Sequence, residues 1–219
     1  MKCLSLRQQL CPWVFYQLVI LLCAVSFLSA CVTVEKHPLP PGSEIGIQAA
    51  WETHRANIEA INIWNLKGRV AGKSNNEGFS SGVQWKQLEN NFVIDLFGPL
   101  GRKVAVITSQ QGSVQLKTSK GESFVAKDPE ELMQRLFDYS LPVNGLRYWL
   151  LGIPDPKQSH ALLDLDKYGR LKHLKQAGWL IDYNDYHGGN PILPALIHIS
   201  NPTLNANIKI DLWQLGTEK

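Results

Sequence analysis

After residue 31 this chain has no cysteine. All four, Cys3, Cys11, Cys23 and Cys31, lie in the first 31 of 219 residues, so a domain folded from the remainder holds no internal disulfide. Long apolar runs are also lacking. The nearest approach, Leu18 to Leu28, is broken by Ser26, and as a helix it rises only about 16 Å, roughly half of a hydrocarbon core. No basic block is present: 22 Lys+Arg stand against 19 Asp+Glu, which excludes electrostatic capture of nucleic acid as the design of this surface. The serines offer no G-x-S-x-G elbow, and neither a P-loop nor a dinucleotide fingerprint occurs.

What stands at the start is a secretory signal of a particular kind. Lys2 and Arg7 form a weakly basic n-region, Leu18 to Leu28 the apolar core, and small Ser29 and Ala30 precede Cys31. Leu28-Ser29-Ala30-Cys31 therefore reads as a lipobox, cut between Ala30 and Cys31, with Cys31 becoming the acylated first residue. A lone cysteine kept in an oxidising compartment is best explained if its sulfur is already covalently occupied. The alternatives are ordinary cleavage, or an uncleaved anchor that would have to recruit Tyr16 and Gln17. Removal of residues 1–30 leaves 189 residues and a net charge of +1, enough for a single domain with a real core and too few for two.

Residues 31–46 read as the lipidated N-terminus and a tether. Between Val32 and Gly46 three prolines and two glycines prevent a regular element, and fifteen residues pulled straight reach about 50 Å. The single domain then occupies 47–219. It begins with an amphipathic helix over about 47–61, carrying Ile47, Trp51, Ile58 and Ile61. The period next changes to two. Trp64, Leu66 and Val70 alternate with polar residues, as do Phe79, Val83 and Trp85, with a turn over Lys73–Gly78 between them. Asn91–Phe97, Lys103–Thr108, Ser113–Thr118 and Glu122–Ala126 continue the meander.

Two helices interrupt it. Asp128 is an N-cap before Pro129, with Glu131 three residues on, and the apolar stripe is Leu132, Leu136 and Tyr139 or Met133 and Phe137. Asn144 caps a second helix carrying Leu146, Trp149 and Leu150, which stops at Gly152 before Pro154. Five more strands follow: Ala161–Leu165, Arg170–Gln176, Trp179–Tyr183, Ala195–Ser200 and Ala206–Trp213. The expected fold is mainly β with a few helices (α+β), a large, strongly curved antiparallel sheet with short helices against one face.

Polar candidates are few. Asp182 to His187 offers oxygens and one nitrogen but leads into Gly188-Gly189-Asn190-Pro191, and reads as a polar hairpin loop rather than a metal site. Asp164 and Asp166 read as solvent-facing strand residues, and His198 as a satisfied sheet residue. Neither catalytic residues, a metal nor a cofactor is expected. The apolar inventory is richer: Trp85, Phe92, Ile94, Leu96, Trp179, Ile181, Tyr183, Ile208, Ile210 and Leu212 can share one concave face. Periodicity alone favours a filled core there, though a curled sheet with few helices can enclose an apolar cavity. In Phe97-Gly98-Pro99-Leu100-Gly101-Arg102-Lys103, Leu100 occupies a turn tip, where polar residues are usual. It either folds back onto the sheet or, with Arg102 and Lys103 beside it, probes a membrane.

The lipobox, the Gly-Pro-Leu-Gly loop, Trp85 followed by Asn91 to Leu96, and above all Leu141-Pro142-Val143-Asn144-Gly145-Leu146-Arg147-Tyr148-Trp149-Leu150-Leu151-Gly152-Ile153-Pro154 together resemble the LolB family of outer-membrane lipoproteins. The last stretch is the specific one, similar to a P-x-x-x-L-R-x-W-x-x-G-x-P pattern. The resemblance implies an unclosed antiparallel β-barrel covered by helices around an apolar cavity for acyl chains. It also implies a receptor that accepts lipoproteins from the periplasmic carrier LolA and places them in the outer membrane. The partners are then LolA, acylated lipoproteins as cargo and outer-membrane phospholipids, with the protein a monomer lipid-anchored on the periplasmic face. Cys31 would carry N-palmitoyl and S-diacylglycerol groups, and Val32 after it is not the aspartate that marks inner-membrane retention. On this reading Trp85, Phe92, Ile94, Leu96, Trp179, Ile181, Ile208 and Ile210 line the cavity, Leu136 and Trp149 belong to its lid, and Leu100 delivers cargo to the membrane. An envelope module with a filled core, or a lipid hydrolase, is the alternative from the residues alone.

Overall fold

The first and last strands of the domain pair with each other. β1 (Ile63–Ser74) lies antiparallel to β11 (Leu204–Leu215) from Trp64 opposite Leu215 to Ser74 opposite Leu204. On the other side of β1 the chain runs through β2 (Glu77–Leu88), β3 (Asn91–Phe97), β4 (Lys103–Gln110), β5 (Ser113–Thr118) and β6 (Ser123–Ala126). Beyond β11 come β10 (Pro194–Ser200), β9 (Trp179–Tyr186), β8 (Leu171–Gln176) and β7 (His160–Leu165). One eleven-stranded antiparallel sheet results, with β6 and β7 as its two edges. In this computed structural model the described residues are 43–75, 77–110, 112–137 and 142–216, without the side chains of Leu136 and Phe137. The signal, Ala30, Cys31, the tether as far as residue 42, and Tyr139 lie outside them.

Strong curvature is written into β1. A Cβ on Gly68 would lie 2.3 Å from the Lys209 carbonyl oxygen, and one on Gly72 2.2 Å from that of Asn205, so β11 crosses where only glycine leaves room. The register also slips by one residue between Lys67 and Gly68, where Asp211 is the extra residue, a bulge that bends β11 against β1. The fold is the unclosed, mainly β architecture expected from the alternating runs.

Three helices accompany the sheet among the described residues. α1 spans Glu44–Glu59, starting three residues before the expected position because the Ser43 hydroxyl accepts the Gly46 N–H at 3.2 Å. It buries Trp51 and Ile58 and lies so close to the β7–β8 turn that a Cβ on Gly169 would be 2.7 Å from Ala50 Cβ. α2 (Pro129–Phe137) and α3 (Val143–Leu150) fill the connection from β6 to β7. Asp128 caps α2 as expected, accepting the Glu131 N–H at 2.7 Å while Glu131 accepts the Lys127 N–H at 3.1 Å.

Asn144, by contrast, is no cap. α3 starts at Val143 after Pro142, and the Glu130 carboxylate of α2 accepts both the Asn144 backbone N–H (3.0 Å) and its side-chain amide (2.8 Å). The first turn of α3 is thus satisfied from the neighbouring helix, and α2 and α3 are clamped together. Two other polar expectations change. Asp182 to Tyr186 belong to β9, and Asp182 meets His173 Nδ1 across the ladder at 2.7 Å, so the loop starts only at His187. Asp166 is not a solvated strand residue: it sits half-buried in the β7–β8 turn, bonded to Arg170 Nε at 2.8 Å and to the Tyr168 and Arg170 N–H groups. Asp164 is exposed, and His198 bonds Asn207 across β10–β11 at 3.1 Å. Asp95 faces outward and pairs with Lys103 at 2.8 Å.

Candidate functional site

The concave face of the sheet divides into a packed half and a hollow half. In the hollow half lies an apolar cavity of about 970 Å³, at the upper end of the about 300–1,000 Å³ usual for ligand pockets. Its wall is made by inward-facing residues of consecutive strands: Leu66 and Val70 of β1, Val83 and Trp85 of β2, Ile94 and Leu96 of β3, Ile107 of β4. Ile199 of β10 and Leu204, Ala206 and Ile208 of β11 continue it. The period of two puts these residues on one face, and curvature turns that face into a bowl.

The roof comes from the clamped helices. α2 contributes Met133, Gln134 and Arg135, and α3 contributes Val143, Leu146 and Leu150, one face of a helix at spacings of three and four. Asn75, Glu77 and Gly78 at the β1–β2 turn and Gln134 and Arg135 on α2 are exposed, which places the mouth between that turn and α2. Arg135 also donates to the Val125 carbonyl at 3.2 Å, tying α2 to edge strand β6. Among the described residues the lining contains no histidine, aspartate or cysteine. No group of three or more His, Cys, Asp or Glu side chains suited to a metal occurs among the described residues.

Of the residues singled out in the sequence, Trp85, Ile94, Leu96 and Ile208 come together in this wall. Phe92, Trp179, Ile181 and Ile210 do not border it, although all four are buried. Phe92 stacks behind Trp85 with ring centroids 5.7 Å apart. Trp179 meets Trp149 at 6.2 Å in the packed half, where Ile181 is fully covered. Trp149 lies on the roof helix but points away from the cavity, its indole N–H donating to Gln176 Oε1 at 2.8 Å. Leu136 lies on α2, with its side chain outside the described part. Leu66, Val70, Val83, Ile107, Ile199, Leu204 and Ala206 were not singled out. Leu66 and Val70 had shown the right alternation, but nothing in a period of two tells a wall residue from a core residue.

Buried amides hold the frame around the site. Gln176, 1% exposed, accepts from Trp149 and from the Asp155 N–H (2.9 Å) and donates to the Asp155 (3.0 Å) and Gln158 (2.8 Å) carbonyls. Gln87, 2% exposed, accepts from the Trp85 indole at 2.9 Å and donates to the Glu89 and Asn91 carbonyls at the β2–β3 turn. Both side-chain polar atoms of each of these two amides have a partner, as burial requires. Arg147 reaches the same turn, donating to the Glu89 carbonyl at 3.3 Å while its guanidinium covers the Tyr148 ring at 4.6 Å. It therefore joins α3 to the β2–β3 hairpin.

Leu100 stands apart from all this packing. It is 99% exposed at the tip of a tight turn, Pro99–Gly101, with φ +64°. The turn is held by the Gly98 N–H to the Arg102 carbonyl at 2.9 Å. A left-handed conformation costs an L-residue about 1–2 kcal/mol, so the structure keeps a strained leucine facing solvent.

The model of the outer membrane lipoprotein LolB family matches residues 62–213. The outer-membrane lipoprotein LolB of Nitrosococcus oceani is 35% identical over 201 residues, covering 91% of this chain and 98% of that protein. The protein of the same name from Alkalilimnicola ehrlichii is 34% identical over 88% of this chain and 94% of its own length. Among solved structures, a putative outer membrane lipoprotein-sorting protein domain from Vibrio parahaemolyticus shares the fold, with a TM-score of 0.54 at 8% identity over 78% of this chain and 93% of that one. The bowl-shaped sheet, the clamped helices over its hollow half and these sequence matches lead to one assignment: the chain belongs to the outer membrane lipoprotein LolB family.

Proposed function

We propose that this chain is a receptor anchored to the outer membrane that takes acylated lipoproteins from the soluble carrier LolA into its cavity and releases them into the bilayer. As a member of its family it is a lipoprotein-localisation protein and not an enzyme. The observation that carries the reading is the apolar cavity of about 970 Å³ with a roof of two short helices. Trp85, Ile94, Leu96 and Ile208 serve as acyl contacts in its wall. Phe92, Trp179, Ile181 and Ile210 support that wall from behind or beside it. Val143, Leu146 and Leu150 of α3 form the lid surface, with Trp149 as its pivot.

Physical cost explains why a cavity is needed. Exposing acyl chains to water costs about 0.8 kcal/mol per CH₂, so a single sixteen-carbon chain costs on the order of 12 kcal/mol. Free diffusion of cargo is excluded, and handover runs from cavity to cavity toward the tighter site without covalent chemistry. Residues 1–30 act as the signal, Cys31 carries the acyl anchor, and the residues after it lead into a domain that begins at α1, three residues earlier than the expected 47. The anchor fixes location on the periplasmic face, because several chains hold a protein far more firmly than one. Exposed Leu100, next to Arg102 and Lys103, enters the bilayer surface when cargo leaves.

The test is saturable binding of a fluorescent fatty-acid analogue, competed by a purified triacylated lipoprotein. One binding site per chain, weakened by Ile94→Glu, is expected. Absence of binding returns the chain to the filled-core reading, and turnover of an ester probe would point to a hydrolase.

A further inference from the structure

The turn beside the Leu100 loop supplies two cations, Lys117 and Lys120, that the transfer reading does not use. β4 leaves the Leu100 loop and pairs with β5, Ala105 opposite Thr118 and Val106 opposite Lys117. The Ser119 N–H then donates to the Val104 carbonyl at 2.9 Å, so the β5–β6 turn is stitched to β4 just after that loop. Arg102, Lys117 and Lys120 are all exposed, and none makes an ion pair among the described residues. Lys103 is held by Asp95, and Glu122 is engaged by the Thr118 hydroxyl at 3.1 Å. Val104, 40% exposed, adds a second apolar side chain beside Leu100.

The same end of the sheet carries the mouth. Phe97, which leads into the Leu100 loop, pairs with Gly82 of β2, and β2 continues past it to the exposed Glu77 and Gly78 at the rim of the cavity. An apolar tip, three exposed cations and a cavity mouth thus lie at one end of the strands.

We infer that Arg102, Lys117 and Lys120 form a headgroup-binding collar for anionic phospholipid, which seats the Leu100 tip on the bilayer with the cavity mouth turned toward the lipid. This rests on the reading of Leu100 as the element that meets the membrane. Cations near an anionic surface are attracted within about a Debye length and released by salt, so the collar acts before the leucine inserts. Headgroup phosphate is the favoured partner because the cations lie at the same end of the sheet as an exposed leucine, which a purely polar protein contact has no use for.

The full acylated chain is anchored in vesicles through Cys31, with an environment-sensitive fluorophore on Ser119→Cys and a quencher in the lipid. Quenching is expected in vesicles containing about a third phosphatidylglycerol and lost in pure phosphatidylcholine or at high salt. The seated-to-free ratio should fall about fivefold for each cation removed, hence roughly 25-fold in Lys117→Gln/Lys120→Gln. Quenching that is equal in both lipids, or unchanged by the double variant, overturns the collar. Leu100→Gly tests the underlying reading separately: the collar predicts residual salt-sensitive seating in that variant, whereas seating untouched by the loss of Leu100 removes only the insertion role. If the double variant seats normally but no longer accepts cargo from the carrier, the cations belong to a protein interface and the proposal fails.

Discussion

The indole N–H of Trp149 donates to the side-chain carbonyl of Gln176 at 2.8 Å, and through this bond the roof helix α3 is fastened to strand β8 in the packed half of the domain. The cavity side of the same helix is Val143, Leu146 and Leu150. One helix thus has a structural face and a lining face, which mutations can separate. Trp149→Phe leaves Gln176 Oε1 with the Asp155 N–H alone and is expected to cost about 2 kcal/mol, a fall in Tm of roughly 6 °C. Fatty-acid binding by the folded fraction should stay unchanged. Calorimetry and a binding titration on the same sample check this, and loss of binding without loss of stability would make Trp149 a ligand contact.

Ile94→Glu places a carboxylate in the wall of the cavity, where apolar chains are to be held. Acceptance of lipoprotein from LolA is expected to be abolished with the far-ultraviolet circular dichroism retained. Phe92→Leu, behind the wall, should change binding severalfold at most. Transfer by the Ile94 variant at the parental rate would show that acyl chains lie elsewhere.

At Leu100, stability and function should move in opposite directions. Leu100→Gly relieves the left-handed strain at φ +64° and is expected to raise stability by about 1 kcal/mol. It also removes the apolar tip, so cargo should be bound but not delivered to vesicles. Leu100→Glu should share the delivery defect. Normal incorporation by both variants excludes the tip from delivery.

The N-terminal helix predicts a pH response. Burial, aided by the Arg170 charge, holds the His54 imidazole below its ordinary value near 6.5. The fold therefore prefers the neutral ring, and the stability this gives is present above about pH 6.5 and lost as pH falls through the lower folded value. Asp166 acts further into acid. Its burial alone would raise the carboxyl, but the Arg170 side chain and the Arg170 and Tyr168 N–H groups outweigh it and hold it below the usual range. Its contribution disappears only as pH drops below about 4. His54→Gln should flatten the upper limb of the acid profile and leave the lower one, as measured by urea midpoints from about pH 7.5 to about 2.5.

The strands were legible because a half-buried strand declares its face residue by residue, as Phe92, Ile94 and Leu96 do. What fills that face was not. Ile181 and Ile208 alternate identically, yet one is fully buried away from the cavity and the other borders it, a difference that a period of two does not carry. Trp149 and Leu150 show the same limit on a helix: both are apolar and adjacent, and only the tertiary surroundings decide which meets Gln176 and which meets the cavity. Asn144 looked like a local cap but takes its partner, Glu130, from the preceding helix. The exposed Leu100 was visible as an apolar residue in a Pro-Gly turn, though its left-handed backbone has no signature in residue type.

The pairing of β1 with β11 reverses the usual roles of ends and middle. The Gly216 N–H donates to the Ile63 carbonyl at 3.1 Å, so the two ends of the barrel-forming chain meet inside the ladder. The interruption of the sheet instead falls between β6 and β7, where α2 and α3 lie. Joining residue 216 to residue 43 at the start of α1 with a linker and opening the chain anew between 137 and 142 would leave every ladder uncut and keep α1. Such a circular permutant should fold, and it would turn the roof into two arms joined through the Glu130–Asn144 bonds instead of by the chain.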